Sequence, residues 1–469
     1  MSDDTSDASP ADDVGVVRGT ERPATFRDVF AVREYRAVYL ALIANWVGEY
    51  LSRAAITVLV FQQTGSVLLS AASFAISYLP WIAGGPVLAA LAERYPYRRV
   101  MVTCDLARMS LMALVAIPGM PIALVLVLLF LAMLGSPPTQ AARSALLPLL
   151  LGRERLVIAL AANATTGQAA QVVGYLAGAT LAAAINPRLV VAGVAIAFGI
   201  SAALVATGVR PRPAAQTGRQ RTHLLRETGE GFTIVFGDRV LRPIATLVIT
   251  LTIFAIVPEG LAAAWAAQTS PNPAVRGFDQ GMIMAAGPVG WVIGGLVFSR
   301  FVTPAVRQRL IRPLAVVAPL ALVPSVLAPS AAIVALLTML SGVAQGAILP
   351  TLNSLFVLAL RHGFRARAFG VIQGGMQLAQ GFAVIVTGLL AEHARVPTVV
   401  GLWSIGGVLL IAARVASWPS AASFEQAITR AADEAKTIEG AGPTSGTDAA
   451  RSRSPRHAAG ATRITPDHG

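Results

Sequence analysis

Long apolar stretches, broken by short polar or charged segments, run through almost the whole chain. A bilayer-crossing helix needs about 20 mostly apolar residues. Twelve stretches meet that description: 37–61, 67–92, 100–118, 121–138, 156–185, 188–209, 243–267, 279–299, 311–328, 330–356, 368–391 and 397–418. The breaks carry turn or charge signals, such as QQTGS at 62–66, ERYPYRR at 93–99, PGMP at 118–121 and INPR at 185–188. The segment 210–240 is polar and arginine-rich and separates six spans from six. Within it, Thr222 to Val235 alternates apolar and polar residues loosely, which suits an amphipathic helix lying in the membrane interface. The predicted organisation is a largely disordered tail (1–35), a six-helix bundle (36–209), a linker (210–240), a second six-helix bundle (241–418) and a disordered tail (419–469).

Composition agrees with that pattern. Of 469 residues, 55% are hydrophobic and only 13% charged, and the mean hydropathy is +0.65. Soluble domains average roughly 25% charged residues, so a soluble enzyme, a disordered chain and a fibre are all excluded. The net charge of +13 is nearly all arginine, because Lys436 is the sole lysine. These arginines sit between apolar runs, so they mark a membrane side rather than a nucleic-acid surface. If the N-terminus is cytoplasmic, twenty arginines fall in inner loops, among them Arg94, Arg98, Arg99, Arg143, Arg300 and Arg307. Only Arg188, Arg276 and Arg395 fall outside. The positive-inside rule then puts both termini in the cytoplasm. The alanine and arginine bias suggests a GC-rich bacterium, so a bacterial plasma membrane is the expected location. The first 30 residues are acidic and lack an apolar core, so no cleavable signal is expected. The single cysteine, Cys104, excludes disulfide frameworks, CxxC pairs and cysteine-based zinc sites.

The two halves repeat. Val47-Gly48-Glu49-Tyr50-Leu51 in span one matches Val257-Pro258-Glu259-Gly260-Leu261 in span seven. Gln168 and Gln171 in span five match Gln377 and Gln380 in span eleven. Glu93-Arg94 followed by Arg98 and Arg99 after span two matches Ser299-Arg300 followed by Arg307 and Arg309 after span eight. Three matches in one order at a near-constant offset indicate a six-plus-six duplication, an arrangement that lets two half-bundles rock about a central site.

Together with GEYLSRAA (48–55), the run from Ala89 to Arg99, Asp105, Arg108 and RARAFG (365–370), this chain resembles the major facilitator superfamily over about residues 26–418. More narrowly, it resembles the proton-driven exporter branch that includes macrolide and siderophore efflux proteins. The resemblance implies an all-α integral membrane fold: twelve transmembrane helices in two pseudo-symmetric six-helix bundles around a central cleft, working by alternating access. The chain departs from the family pattern in places. Ala89, Glu93 and Tyr97 replace a glycine, an aspartate and an arginine of the loop motif, and Tyr175 stands where the exporter signature of span five has proline. Span four, bounded at 121–138, lacks the arginine often found there in proton antiporters.

Four groups of residues are candidates for chemistry. Glu49 lies near the middle of span one, where an ionisable group is costly and usually faces a cavity or a partner. Arg53 follows in the favourable i,i+4 order, so the pair reads either as a proton-coupling or substrate site or as a static ion pair. Glu259 holds the matching place in span seven, between the helix-weakening Pro258 and Gly260. Gln168, Gln171, Gln373, Gln377 and Gln380 share faces of spans five and eleven, which border the cleft in the family, so they are expected to line it. Glu93, Arg94, Arg98, Asp105, Arg108 and Arg300 are expected to form a cytoplasmic gate, with Arg94 and Arg98 pairing to Asp105. Small-residue spacings at Gly174 and Gly178, Gly290 and Gly294, Gly342 and Gly346, and Gly370 and Gly374 are expected to bring helices close.

Several chemistries are absent. No G-x-x-x-x-G-K-[ST] loop surrounds Lys436, no G-x-S-x-G elbow occurs, and the five histidines lie outside the spans without metal-ligand spacing. No enzymatic activity, metal or cofactor is expected. The expected function is proton-coupled export of small amphipathic or hydrophobic molecules through a largely apolar cleft, with a nutrient importer of the same fold as the alternative and a non-transporting scaffold or sensor behind it. The expected partners are the small-molecule substrate, protons and membrane lipids, without nucleic acid, and a monomer is expected to suffice.

Overall fold

The computed structural model describes residues 25–83, 94–213, 224–270, 272–360, 365–420, 423–426 and 429–430. Every regular element among them is helical. Nine helices among the described residues are long and apolar enough to cross a membrane. The other three spans are Arg33–Thr64, which holds Glu49 and Arg53; Val67–Ala75, continuing through Leu79–Ala83 toward the undescribed 84–93; and Tyr97–Val115, which holds Asp105 and Arg108. Two of these three carry Glu49, Arg53, Asp105 and Arg108, charges that lie inside the first bundle.

Four observed features change the reading of the sequence. Span four runs Ile122–Gly152 and span five Glu154–Ala184, so helix covers the stretch 139–155 that reads as loop in the sequence. The only break between them is Gly152, whose φ of 67° is open to glycine at little cost and strained for other residues. Arg143 therefore lies inside span four, not in a loop, and the fourth span does hold an arginine. Span seven is split at Ile256 into Leu241–Ala255 and Val257–Thr269, with Pro258 and Glu259 in the first turn of the second piece. The linker helix forms at Leu224–Gly237, but Val235 is buried in the second bundle's core and Glu230 bonds Arg367 at the start of span eleven at 2.8 Å. It is thus held under the second bundle rather than lying free in an interface. Ahead of span one, the short helix Phe26–Ala31 is capped by Thr25 and Asp28, in a segment predicted to be tail.

The small-residue spacings divide. Gly290 and Gly294 meet Gly342 and Gly346 so closely that an added methyl at any of the four would lie 2.0–2.3 Å from a backbone carbonyl oxygen of the facing helix. Gly174 and Gly178 likewise admit the backbone of Tyr50 and Leu51 and the Cβ atoms of Tyr50 and Ala54. Gly370 and Gly374 face open space. All the close pairs lie within one bundle (spans eight and ten, or one and five), so they are not the sliding surface between halves.

The bundles meet at the ends remote from the linker. Gln280 of span eight donates to Thr57 Oγ1 at 3.0 Å and to Ala54 O at 3.3 Å in span one. Gly277 and Gly281 lie against Ala179, Thr180 and Leu176 of span five. Glu392 at the end of span eleven accepts from the backbone N–H of Leu68 at 2.8 Å, at the start of span two. Toward the linker end, Val157, Leu160 and Gln373 are exposed on spans five and eleven. The far end is closed, and the central cavity lies between it and the linker end.

Candidate functional site

The cavity holds about 380 Å³ and is lined by both bundles. Span one contributes Asn45, Trp46, Glu49, Tyr50 and Arg53; span two contributes Tyr78 and Trp81; span four contributes Ser136, Gln140 and Arg143; and span five contributes Gln168 and Gln171. The second bundle adds Thr252 and Glu259 from span seven, Trp291 from span eight, Thr338, Ser341 and Gln345 from span ten, and Gln373, Gln377 and Gln380 from span eleven. The five predicted glutamines therefore reach one cavity. The lining is more polar than the apolar cleft expected from the sequence.

A chain of hydrogen bonds organises the first bundle. Arg53 donates to Glu49 Oε1 at 2.7 Å, and Arg108 donates to Glu49 Oε2 at 3.0 Å. Ser136 donates to the same Oε2 at 3.1 Å. Arg108 also donates to Asn45 Oδ1 at 3.0 Å, and Asn45 donates to Asp105 Oδ1 at 2.8 Å. Ser201 of span six completes the set, donating to Asp105 Oδ2 at 2.6 Å. The Arg108 guanidinium lies 4.0 Å from the centre of the Phe198 ring, and Gly135 leaves room for its stem, since a methyl there would come within 3.0 Å. Arg53 packs over Tyr50 and Tyr78 at 5.3 and 5.4 Å. The network ties spans one, three, four and six together. Burial on this scale requires such satisfaction, because an unpaired buried charge is expensive.

Glu259 is built differently. It is buried, and its Oε2 has no hydrogen-bond partner of standard geometry among the described residues. The groups facing the carboxyl are the Tyr175 hydroxyl and the Arg53 guanidinium. The two glutamates equivalent by repeat are therefore not equivalent in structure. Glu49 is shared by two guanidiniums, whereas Glu259 is clamped by none.

The expected gate grouping needs correction. Asp105 and Arg108 are fully buried in the Glu49 network and do not reach a loop. Arg98 donates to the carbonyl of Ala206 at the end of span six, so it fastens spans three and six instead of meeting Asp105. Arg94 and Arg300 are exposed. Glu93 lies outside the described residues. Sequence reasoning missed Arg143, Gln140, Trp46, Asn45, Ser136, Ser201 and Gln280. The signal that could have found two of them is Gln140 followed three residues later by Arg143, a helical spacing inside a stretch read as loop.

A family model described as the Major Facilitator Superfamily matches residues 38–360. The chain belongs to the major facilitator superfamily. It is a membrane transporter, not an enzyme. Solved structures share the fold at low identity. A mutant of the nucleoside transporter NupG superimposes with a TM-score of 0.65 at 13% identity, covering 82% of this chain and 100% of that one. A POT family transporter in complex with a thioalcohol-conjugated peptide gives 0.62 at 12%, covering 80% and 94%. A bacterial homologue of the human lysosomal transporter Spinster, inward-facing and unoccupied, gives 0.61 at 13%, covering 86% and 98%. No curated protein sequence matches the transporter.

Proposed function

We propose that this transporter is a proton-coupled carrier that exports small amphipathic molecules by alternating access, with Glu259 as the proton-carrying group. The observation that carries the reading is the contrast between the two glutamates. Protonating Glu49 would leave Arg53 and Arg108 as buried cations without their anion. Protonating Glu259 breaks no ion pair, and Glu259 stands in the wall of the same cavity that would hold the substrate. The proton role therefore moves from Glu49, the first choice of the sequence reading, to Glu259. The arginine-rich linker end is the cytoplasmic side on this reading, so the described state is closed outward and its cavity faces inward. Gln280 and Glu392 would then be parts of the outer gate.

A second reading, uptake together with protons, is favoured by the polar lining. Seven glutamines reach the cavity, including Gln140 and Gln345. Such a lining suits a solute with many hydrogen-bonding groups better than a lipophilic drug. The names of the similar structures, a nucleoside and a peptide transporter among them, add such solutes to the substrates worth testing.

Flux in proteoliposomes under an imposed pH gradient of either sign tests both readings. The panel is lipophilic cations, macrolides, siderophores, nucleosides and short peptides. Gradient-driven flux that Glu259→Gln uncouples supports the assignment, and the sign of the gradient that drives accumulation fixes the direction. Gradient-driven flux that is unchanged in Glu259→Gln refutes Glu259 as the proton carrier.

A further inference from the structure

Three acids and three guanidiniums surround the cavity: Glu49, Asp105 and Glu259, and Arg53, Arg108 and Arg143. Their direct contacts leave two carboxylates and one guanidinium without an ionic bond. Glu49 binds Arg53 and Arg108, and Asp105 is held by Asn45 and Ser201. Asp105 and Glu259 both lack a bonded cation, but Asp105 is held by two hydrogen bonds whereas Glu259 Oε2 has no partner among the described residues. Arg143 is the cation without a bonded carboxylate.

Arg143 is more than nine-tenths buried, yet it makes no hydrogen bond or ion pair among the described residues. Its guanidinium packs over Trp46, whose ring centre lies 5.5 Å from the guanidinium carbon. None of its nitrogens is sealed away from open space, and the residue lines the cavity, so its donors face the cavity. Gln140, one turn earlier on the same helix, is exposed into the same space. A buried guanidinium with free donors matches the planar, bidentate geometry of a carboxylate or a phosphate. We propose that Arg143 and Gln140 bind a carboxylate or phosphate group of the carried molecule, whose apolar part lies along Trp46. The transporter would thus carry amphipathic anions rather than the lipophilic cations in the flux panel.

The charges make this site sensitive to the proton. The groups facing Arg143 are Asp105, Glu49 and Arg108, and those facing Glu259 are Arg53 and Tyr175, with Tyr50 and Tyr78 close by. With every group charged, the cavity is balanced. A proton on Glu259 leaves one positive charge in excess, and an anion at Arg143 restores balance. The anion and the proton should therefore bind together rather than compete, which is the behaviour of a symporter and, for an anionic substrate, favours uptake with protons, the second reading above, over export. This inference rests on the transport reading above for its meaning, but its test does not need transport.

The test is equilibrium binding to the purified full-length protein in detergent, by titration calorimetry. The panel holds aromatic and aliphatic carboxylates and phosphate monoesters, each beside its uncharged amide or alcohol, and one matching quaternary ammonium. The expected result is at least one anion binding ten-fold or more tighter than its uncharged partner. Arg143→Gln should abolish that preference, Arg143→Lys should retain part of it, and both should melt like the wild type. Affinity should rise as pH falls, and Glu259→Gln should hold it at the low-pH value throughout. Neutral or cationic members binding as well as the anions, or no anion binding at all, would overturn the anion site. Affinity falling with pH would overturn the joint binding. Anion binding without proteoliposome flux would leave the site standing and remove the proposed function. Flux of uncharged compounds without anion preference would do the reverse.

Discussion

Replacing Glu49 by Gln tests whether the first bundle is held by its buried charges. The carboxylate accepts from Arg53 at 2.7 Å, Arg108 at 3.0 Å and Ser136 at 3.1 Å. Glutamine keeps the shape but brings an amide N–H₂ toward guanidinium donors and removes the only carboxylate bonded directly to Arg108, which is 1% exposed. Breaking a buried pair by removing one partner costs roughly 3–5 kcal/mol. For a unit the size of one bundle that is on the order of 10 °C in melting temperature. Glu259→Gln removes no bonded counter-ion and should melt within a few degrees of the wild type. The assay is thermal unfolding in one detergent, followed by helix signal, for both variants and for the double variant Glu49→Gln with Arg108→Gln. The double variant should recover part of the loss, because the stranded cation is gone. Equal melting of Glu49→Gln and wild type would refute the view that Glu49 is a structural clasp, and would return it to the list of proton carriers.

Further outcomes follow from other contacts. Gln280→Ala removes a bond of 3.0 Å across the bundles at the far end; at about 1 kcal/mol for a neutral hydrogen bond, it should raise the fraction open at that end several-fold, read by spin-label distances between spans one and eight. Gly346→Val places a side chain where an added carbon lies 2.0 Å from the carbonyl oxygen of Trp291, so spans eight and ten must separate and folded yield should collapse, whereas Gly374→Val, which faces open space, should be tolerated. At the linker end, Glu34 accepts from Arg212 at 2.7 and 3.1 Å, and that guanidinium holds its carboxyl below the usual 4.5 despite partial burial. The contact is therefore fully present above about pH 4.5 and is lost as pH falls through the depressed value, so the protection of the 33–38 amides against hydrogen exchange, taken relative to their intrinsic rates, should fall on acidification, and Arg212→Gln should abolish that step.

The spans were legible because a bilayer imposes a length and a polarity that one sequence displays directly. The ends of spans four and five were not. Gln140, Arg143, Arg153, Glu154 and Arg155 read as a loop by charge density, yet only Gly152 leaves the helix. Charge placement marks a membrane side well and a helix end poorly. Repeat matching brought Glu49 and Glu259 forward together, and both line the cavity. The i,i+4 spacing showed Arg53 beside Glu49, but not the second arginine, because Arg108 and Ser136 come from spans three and four, 59 and 87 residues away. Asp105 and Arg108 illustrate the same limit. Their nearness to the basic loop in sequence suggested a gate, but the helix of span three turns them inward onto Asn45 and Ser201.

The cavity carries its own optical reporter. Trp46, Trp81 and Trp291 line it, half of the six tryptophans in the chain. Trp265 is fully buried, and Trp403 donates to the backbone of Ile253 inside the second bundle, so these two should give a steady background. Indole emission shifts with the polarity around the ring, and Trp46 already lies beside a guanidinium. Filling or emptying the cavity should therefore change the colour and intensity of ultraviolet emission in the unlabelled protein. A compound library can be screened in a cuvette before any substrate is known.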